Sequence, residues 1–220
     1  MAPHLNMERL VVRLDARELD RLYRKYNRRS WRSSDPVEFV HRYADPRDRE
    51  VAAMIASFLA FGTVKQIRAS VEGALAPLGG SPAGFLGDAP PKRLAALYRG
   101  FRHRWITGED VAALLGGVRS AMAAHGALER AFAASMEERD VDAASPARRF
   151  VDDIRRRSGA FRACLLPSPR DGSACKRLFL FLRWMVRRDE IDTGLWSGLV
   201  SPAMLLVPLD THMHRIARSR

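Results

Sequence analysis

Two residues in the last third of the chain combine a reactive side chain with a setting that could use it: Lys176 and Asp210. Lys176 follows the turn-forming run Asp171-Gly172-Ser173. It precedes a helical pattern made by Leu178, Phe179, Phe181, Leu182, Met185 and Val186. With Ser173 as N-cap, Lys176 falls at the third helical position, where the positive end of the helix dipole and partial burial both disfavour the ammonium form. A neutral amine is a nucleophile; the plain alternative is a solvated surface lysine. Asp210 ends the stretch Val207-Pro208-Leu209 and opens a short pattern with Met213, Ile216 and Ala217. It reads first as a helix cap. A cap carboxylate is also ionised and fixed in direction, which suits it to stabilise a cationic intermediate. Asp210, His212 and His214 do not make a metal site, because positions two apart on a helix point to different sides. No metal or other cofactor is expected.

The elements that must position this pair are helices. Capping residues followed by proline open helices at Asp35-Pro36, Asp45-Pro46, Ser145-Pro146 and Ser201-Pro202. Val51, Met54, Ile55, Phe58 and Leu59 keep the helical period, and after a break near Gly62 it resumes with Val64, Ile67, Val71 and Leu75. Leu78 to Pro91 is rich in Gly, Pro and Ala and reads as a loop with at most one short turn. Thr107 caps a helix carrying Val111, Leu114, Leu115, Val118 and Met122. Leu128, Phe132 and Met136 continue after Gly126, and further helices are expected at 147–157, 173–188, 202–207 and from Thr211 onward. No alternating strand pattern and no fixed-period repeat stands out. The expected fold is all-α, two helical blocks (35–145 and 146–220) with a cleft between them and a helical extension over 1–34.

Composition narrows the partner. Lys and Arg number 37 against 25 Asp and Glu, a net charge of +12, which favours a polyanion. No run of about 18 apolar residues spans a bilayer, and MAPHLNMERL lacks the apolar core of a signal peptide, so the expectation is a soluble, cytoplasmic protein with no membrane partner. Cys164 and Cys175 read as ordinary thiols. Trp184 and Trp196 could stack on a base, but Trp in an amphipathic helix is more often core.

PLDTHMHRIA (208–217) resembles the PVDVHMWHIA segment of 8-oxoguanine DNA glycosylases of the helix-hairpin-helix superfamily, matching at Pro208, Asp210, His212, Met213, Ile216 and Ala217. That resemblance implies Asp210 as catalytic carboxylate, Lys176 as the amine that attacks the sugar C1′, and His212 at the DNA-facing surface. ASFLAFGTVKQIRASVEGAL is similar to the helix, DNA-contacting loop and helix placed beside the lesion, with Phe61, Gly62 and Thr63 in the loop and Phe61 as wedge candidate. From about Asp35 the chain resembles an uncharacterised bacterial family of that superfamily (domain of unknown function 2400).

Two departures mark it. LLPSPRDGSACK lacks the LPGVGxK hairpin that grips a phosphate, with Gly172 as a partial replacement beside Ser173. The lysine-to-aspartate spacing of 34 (176 to 210) is nearer to that of the archaeal 8-oxoguanine glycosylases. The usual helices after the aspartate are missing by Arg220, which suggests a truncated chain. The resemblance implies a monomeric base-excision glycosylase with abasic-site lyase activity, acting on double-stranded DNA with a damaged or abasic nucleotide. 8-Oxoguanine is the leading base. Lys65, Arg68 and Arg177, with some of Arg183, Arg187 and Arg188, are expected at the cleft rim, and Lys176 within a few ångströms of Asp210. The alternative is a non-catalytic helical module that binds nucleic acid, with Lys176 and Arg177 on phosphate.

Overall fold

The computed structural model describes residues 16–159, 162, 164–209, 214, 215 and 218. Asp210, His212 and most of the helix expected from Thr211 lie outside the described residues. Nine α-helices occur among those described: α1 (Ala16–Tyr26), α2 (Pro46–Phe58), α3 (Val64–Leu75), α4 (Pro82–Asp88), α5 (Pro91–Leu97), α6 (Gly108–His125), α7 (Leu128–Ala133), α8 (Ala144–Ser158) and α9 (Lys176–Val186). The fold class is all-α. No helix among the described residues is long and apolar enough to cross a membrane.

Helix α2 is the axis of the fold. Asp45 Oδ1 accepts from Arg47 N at 2.8 Å and Pro46 opens the first turn, as the sequence predicts. The helix is not amphipathic, however: every residue from Glu50 to Phe58 is buried. A helix buried all round can keep charged residues only where each finds a partner. Asp48 Oδ1 accepts from Ala83 N at 2.8 Å and from Ser81 Oγ at 3.1 Å. Glu50 accepts from Leu128 N (2.9 Å), Glu129 N (2.7 Å) and the Trp196 indole (2.8 Å). Two acids of one helix thus cap the starts of two others, α4 and α7.

That long-range cap explains a correction. The expected loop from Leu78 to Pro91 contains all of α4 and the start of α5. Its composition reads as a loop, but Ser81 caps α4 with Pro82 behind it, and Asp48, 35 residues away, holds the next free amide. Three further starts differ in kind. Asp35-Pro36 opens a 3₁₀ segment, Pro36–Arg42, and Ser201-Pro202 a single 3₁₀ turn, Pro202–Met204. Ser145 lies inside α8, which begins at Ala144, where Asp142 Oδ1 accepts from the Ala144 amide at 2.8 Å. A short hairpin, β1 (Arg102–His103) with β2 (Ile106–Thr107), was not expected; it turns through Arg104 at φ 54°.

The buried apolar residues form one cluster. At its centre Phe181 of α9, Phe150 of α8 and Phe132 of α7 surround Trp196, with ring centroids 5.2 to 6.5 Å apart. Helices α6 and α8 cross at Gly117, where a Cβ would stand 1.9 Å from Ser158 Oγ and 2.7 Å from the Ile154 carbonyl. Trp184, in α9, and Trp196, in the turn after it, are fully buried core residues.

Candidate functional site

The turn before α9 lacks the glycine pair of the hairpin that the resemblance implies. A 3₁₀ turn, Pro169–Asp171, is capped by Ser168 and ended by Gly172 in the left-handed conformation. Cys175 is also left-handed, at φ 48° and ψ 36°. That is an unusual backbone for a residue with a side chain, and here a buried thiol and the hydrogen bond from Cys175 N to Ser173 Oγ (3.2 Å) hold it. Arg155 of α8 clamps the turn: its guanidinium pairs with Asp171 Oδ2 at 2.5 Å, while its Nε donates to the Leu166 carbonyl at 2.9 Å. Gly172, Ser173 and Ala174 stay exposed between these anchors.

Helix α9 therefore starts at Lys176 and not two residues earlier. Cys175 is its N-cap, Ser173 lies outside it, and Lys176 is its first residue. Nor is Lys176 partly buried: it is exposed, on the rim of an open groove of about 460 Å³. Arg183 and Arg187 line the same groove from further along α9, with Leu205, Val207 and Pro208 opposite. Pro208 is two residues before Asp210 in sequence. The groove thus joins the candidate lysine to the segment that leads into the candidate carboxylate.

Beside Lys176, Arg177 turns inward. Its guanidinium donates to the Phe58 carbonyl at 2.6 Å and to the Cys164 carbonyl, and lies 4.7 Å from the centre of the Phe61 ring. Burial lowers its pKa from the ordinary arginine value. The expected rim position of Arg177 is corrected: it ties the start of α9 to the end of α2 and to the loop 59–63. That loop also has a fixed shape. Gly62 has φ 109°, and Thr63 caps α3 in a reciprocal box with Gln66. His103 Nε2 donates to the Phe61 carbonyl at 3.0 Å while Nδ1 takes the Ser70 hydroxyl at 2.7 Å; a carbonyl can only accept, so the ring carries its proton on Nε2. Burial lowers the His103 pKa, which keeps this neutral form.

Phe61 is accordingly not a free wedge. It is half-buried, edge-on to His103 at 4.4 Å and stacked on Trp105 at 5.0 Å. Trp105, at the tip of the β1–β2 hairpin, is the exposed ring of the pair at 45 % accessibility, with the Arg104 guanidinium 4.9 Å from its centre. Val64 and Lys65 are exposed on the same loop and helix start. Sequence reasoning missed Trp105, Arg104 and His103. Their segment shows no periodicity, and only pairing with the loop 59–63 brings them there.

The other predicted cations divide. Arg68 pairs with Glu38 at 2.8 Å. Arg183 and Arg187 pair with Asp192 at 3.2 and 3.6 Å, and Arg187 also with Asp189 at 2.8 Å. Lys65 and Arg188 are exposed. Burial raises the Asp192 carboxyl to about 6, and the charges of Arg183 and Arg187 reverse only part of that. A carboxyl raised in the fold above its unfolded value of 3.8 stabilises at low pH, and that contribution is lost as pH rises through about 6. Thermal melts at pH 4, 5, 6 and 7 should show Asp192→Asn gaining on the wild type as pH rises across this interval. Parallel curves would contradict the assignment.

Asp210 and His212 lie outside the described residues; Lys176, the turn with Gly172 and Ser173, and the Phe61–Trp105 cluster lie within them. No curated protein and no solved structure matches the chain. The model of the family described as "Protein of unknown function (DUF2400)" matches residues 35–220, and the chain belongs to that family.

Proposed function

We propose that this chain is a DNA base-excision glycosylase with abasic-site lyase activity, working through Lys176 and Asp210 on a nucleotide extruded from the duplex. The observation that carries the reading is the groove. An exposed lysine at the start of α9 shares it with Val207 and Pro208, which run into an aspartate that the resemblance makes catalytic. The hairpin that sets the helix start leaves exposed residues 172–174 for a phosphate, and the exposed Trp105 with Arg104 and Lys65 beside it suits a base stack flanked by phosphates. The net charge of +12 fits the same partner.

In this mechanism the Lys176 amine gives up a proton and forms a bond to C1′. The glycosidic C–N bond breaks, and the base departs with the electron pair and is protonated. Asp210 stabilises the positive charge that develops on the sugar. Opening of the sugar ring gives an imine between Lys176 and C1′; loss of a C2′ proton then expels the 3′ phosphate. Trp105, not Phe61, fills the gap left in the duplex.

The test is borohydride trapping on duplexes containing an abasic site or 8-oxoguanine, since borohydride reduces the imine to a stable amine. A covalent protein–DNA adduct is expected on the abasic duplex. If none forms there although the duplex binds, the chain is a binding module. The exposed Trp105 with its neighbouring cations is what would favour that second reading.

A further inference from the structure

On the far side of Arg183 and Arg187 from the Lys176 groove lies a second cavity, of about 310 Å³. Both arginines line both cavities, so the two are neighbours at the C-terminal end of α9. Lys176 and Arg183 are seven residues apart, about 10 Å along the helix axis. Three exposed aromatic side chains line the second cavity: Tyr23, Tyr26 and Trp31, 47, 46 and 43 % exposed. The Tyr26 and Trp31 rings stand 5.3 Å apart. All three precede residue 35, where the family match begins.

The aromatic wall is attached to the rest of the fold by specific contacts. The Tyr23 hydroxyl donates to Asp189 Oδ2 at 3.3 Å, and Arg29 pairs with Glu190 at 2.9 Å. The Arg32 Nε donates to the Glu190 carbonyl at 2.6 Å. The same loop is held from beneath by Asp189, whose Oδ1 accepts from both Ile191 N and Asp192 N. Exposed rings for stacking, with the Arg183 and Arg187 side chains (37 and 38 % exposed) in the same lining, suit a planar heterocycle whose edge carries acceptors.

We infer that this cavity is a nucleobase pocket: Trp31 stacks on the ring, Tyr26, tilted 59° to Trp31, lies against its edge, the Arg183 and Arg187 guanidinium groups donate to its acceptors, and a sugar attached to that base would extend past Arg187 toward Lys176. The inference rests on the base-excision reading for the origin of the base, and on this cavity alone for its binding. It makes residues 16–34 a specificity element of this chain, supplied from outside the matched family region.

The probe is a free nucleoside. Trp184 and Trp196 are buried, so Trp31 and Trp105 are the exposed indole reporters. Guanosine, adenosine or uridine should quench the fluorescence saturably, ribose 5-phosphate should not, and Trp31→Phe should remove the signal. Tyr26→Ala should weaken binding about tenfold, while Tyr26→Phe, which keeps the ring, should bind like wild type. Absence of saturable quenching, or Tyr26→Ala binding unchanged, overturns the pocket whatever trapping shows. On DNA, Tyr26→Ala should slow release of a lesion base about tenfold yet leave adduct formation on a base-free abasic site unchanged. Equal loss on both substrates would overturn the pocket. A wild type that fails to trap on abasic DNA removes the lysine mechanism instead, and the nucleoside titration still decides the pocket.

Discussion

Lys176→Gln is expected to abolish the borohydride adduct on abasic DNA completely while leaving duplex affinity within a few-fold of wild type. The amine is the only part of the side chain that can form an imine, and glutamine keeps a polar chain of similar length at the first position of α9. That position is exposed, so the substitution removes few packed atoms. Asp210→Asn should separate the two chemical stages. It should slow base removal by about a hundredfold or more, because the lost carboxylate charge matters most while the glycosidic bond breaks. Trapping on a pre-formed abasic site should suffer much less. If Lys176→Gln still traps, another amine is responsible and the assignment to α9 fails; equal losses on both substrates would instead show that Asp210 acts at the imine step.

Glu50→Ala is expected to cost the fold about 4 kcal/mol or more. The carboxylate is 3 % exposed and accepts from Leu128 N, Glu129 N and the Trp196 indole. Alanine would leave these donors, most of them buried, without their acceptor, at about 1–3 kcal/mol each. For a chain of this size that lowers the melting temperature by roughly 10 °C or more. Glu50→Gln keeps an oxygen on the same stem but turns an NH₂ group toward donors, so it should fall between wild type and alanine. Calorimetry or a circular-dichroism melt distinguishes the three. Glu50→Ala within about 1 kcal/mol of wild type would mean that the donors find water or other partners, and that Glu50 is not the joint between α2, α7 and Trp196.

The sequence by itself determined the helical class and most helix positions, because the signals are local. Asp45-Pro46, Thr63 with Gln66, and Thr107 with Asp110 each hold cap and amide within one turn, and the apolar period names the buried face of α6 and α9. It also singled out Lys176 at a helix start and Phe61-Gly62-Thr63 as a loop between helices. What only the tertiary structure decided depends on partners far apart in the chain. Helix α4 forms where composition suggests a loop because Asp48 reaches across 35 residues to cap it. Helix α9 begins at Lys176 because Cys175 is left-handed, buried and anchored between Arg155's clamp and the core. Arg177, a surface cation by type, turns inward because carbonyls of Phe58 and Cys164 converge on it from 119 and 13 residues away. The exposed ring passes from Phe61 to Trp105 for the same reason: a two-residue-per-strand hairpin has no sequence period, and only packing against the loop 59–63 puts Trp105 on the outside of that stack.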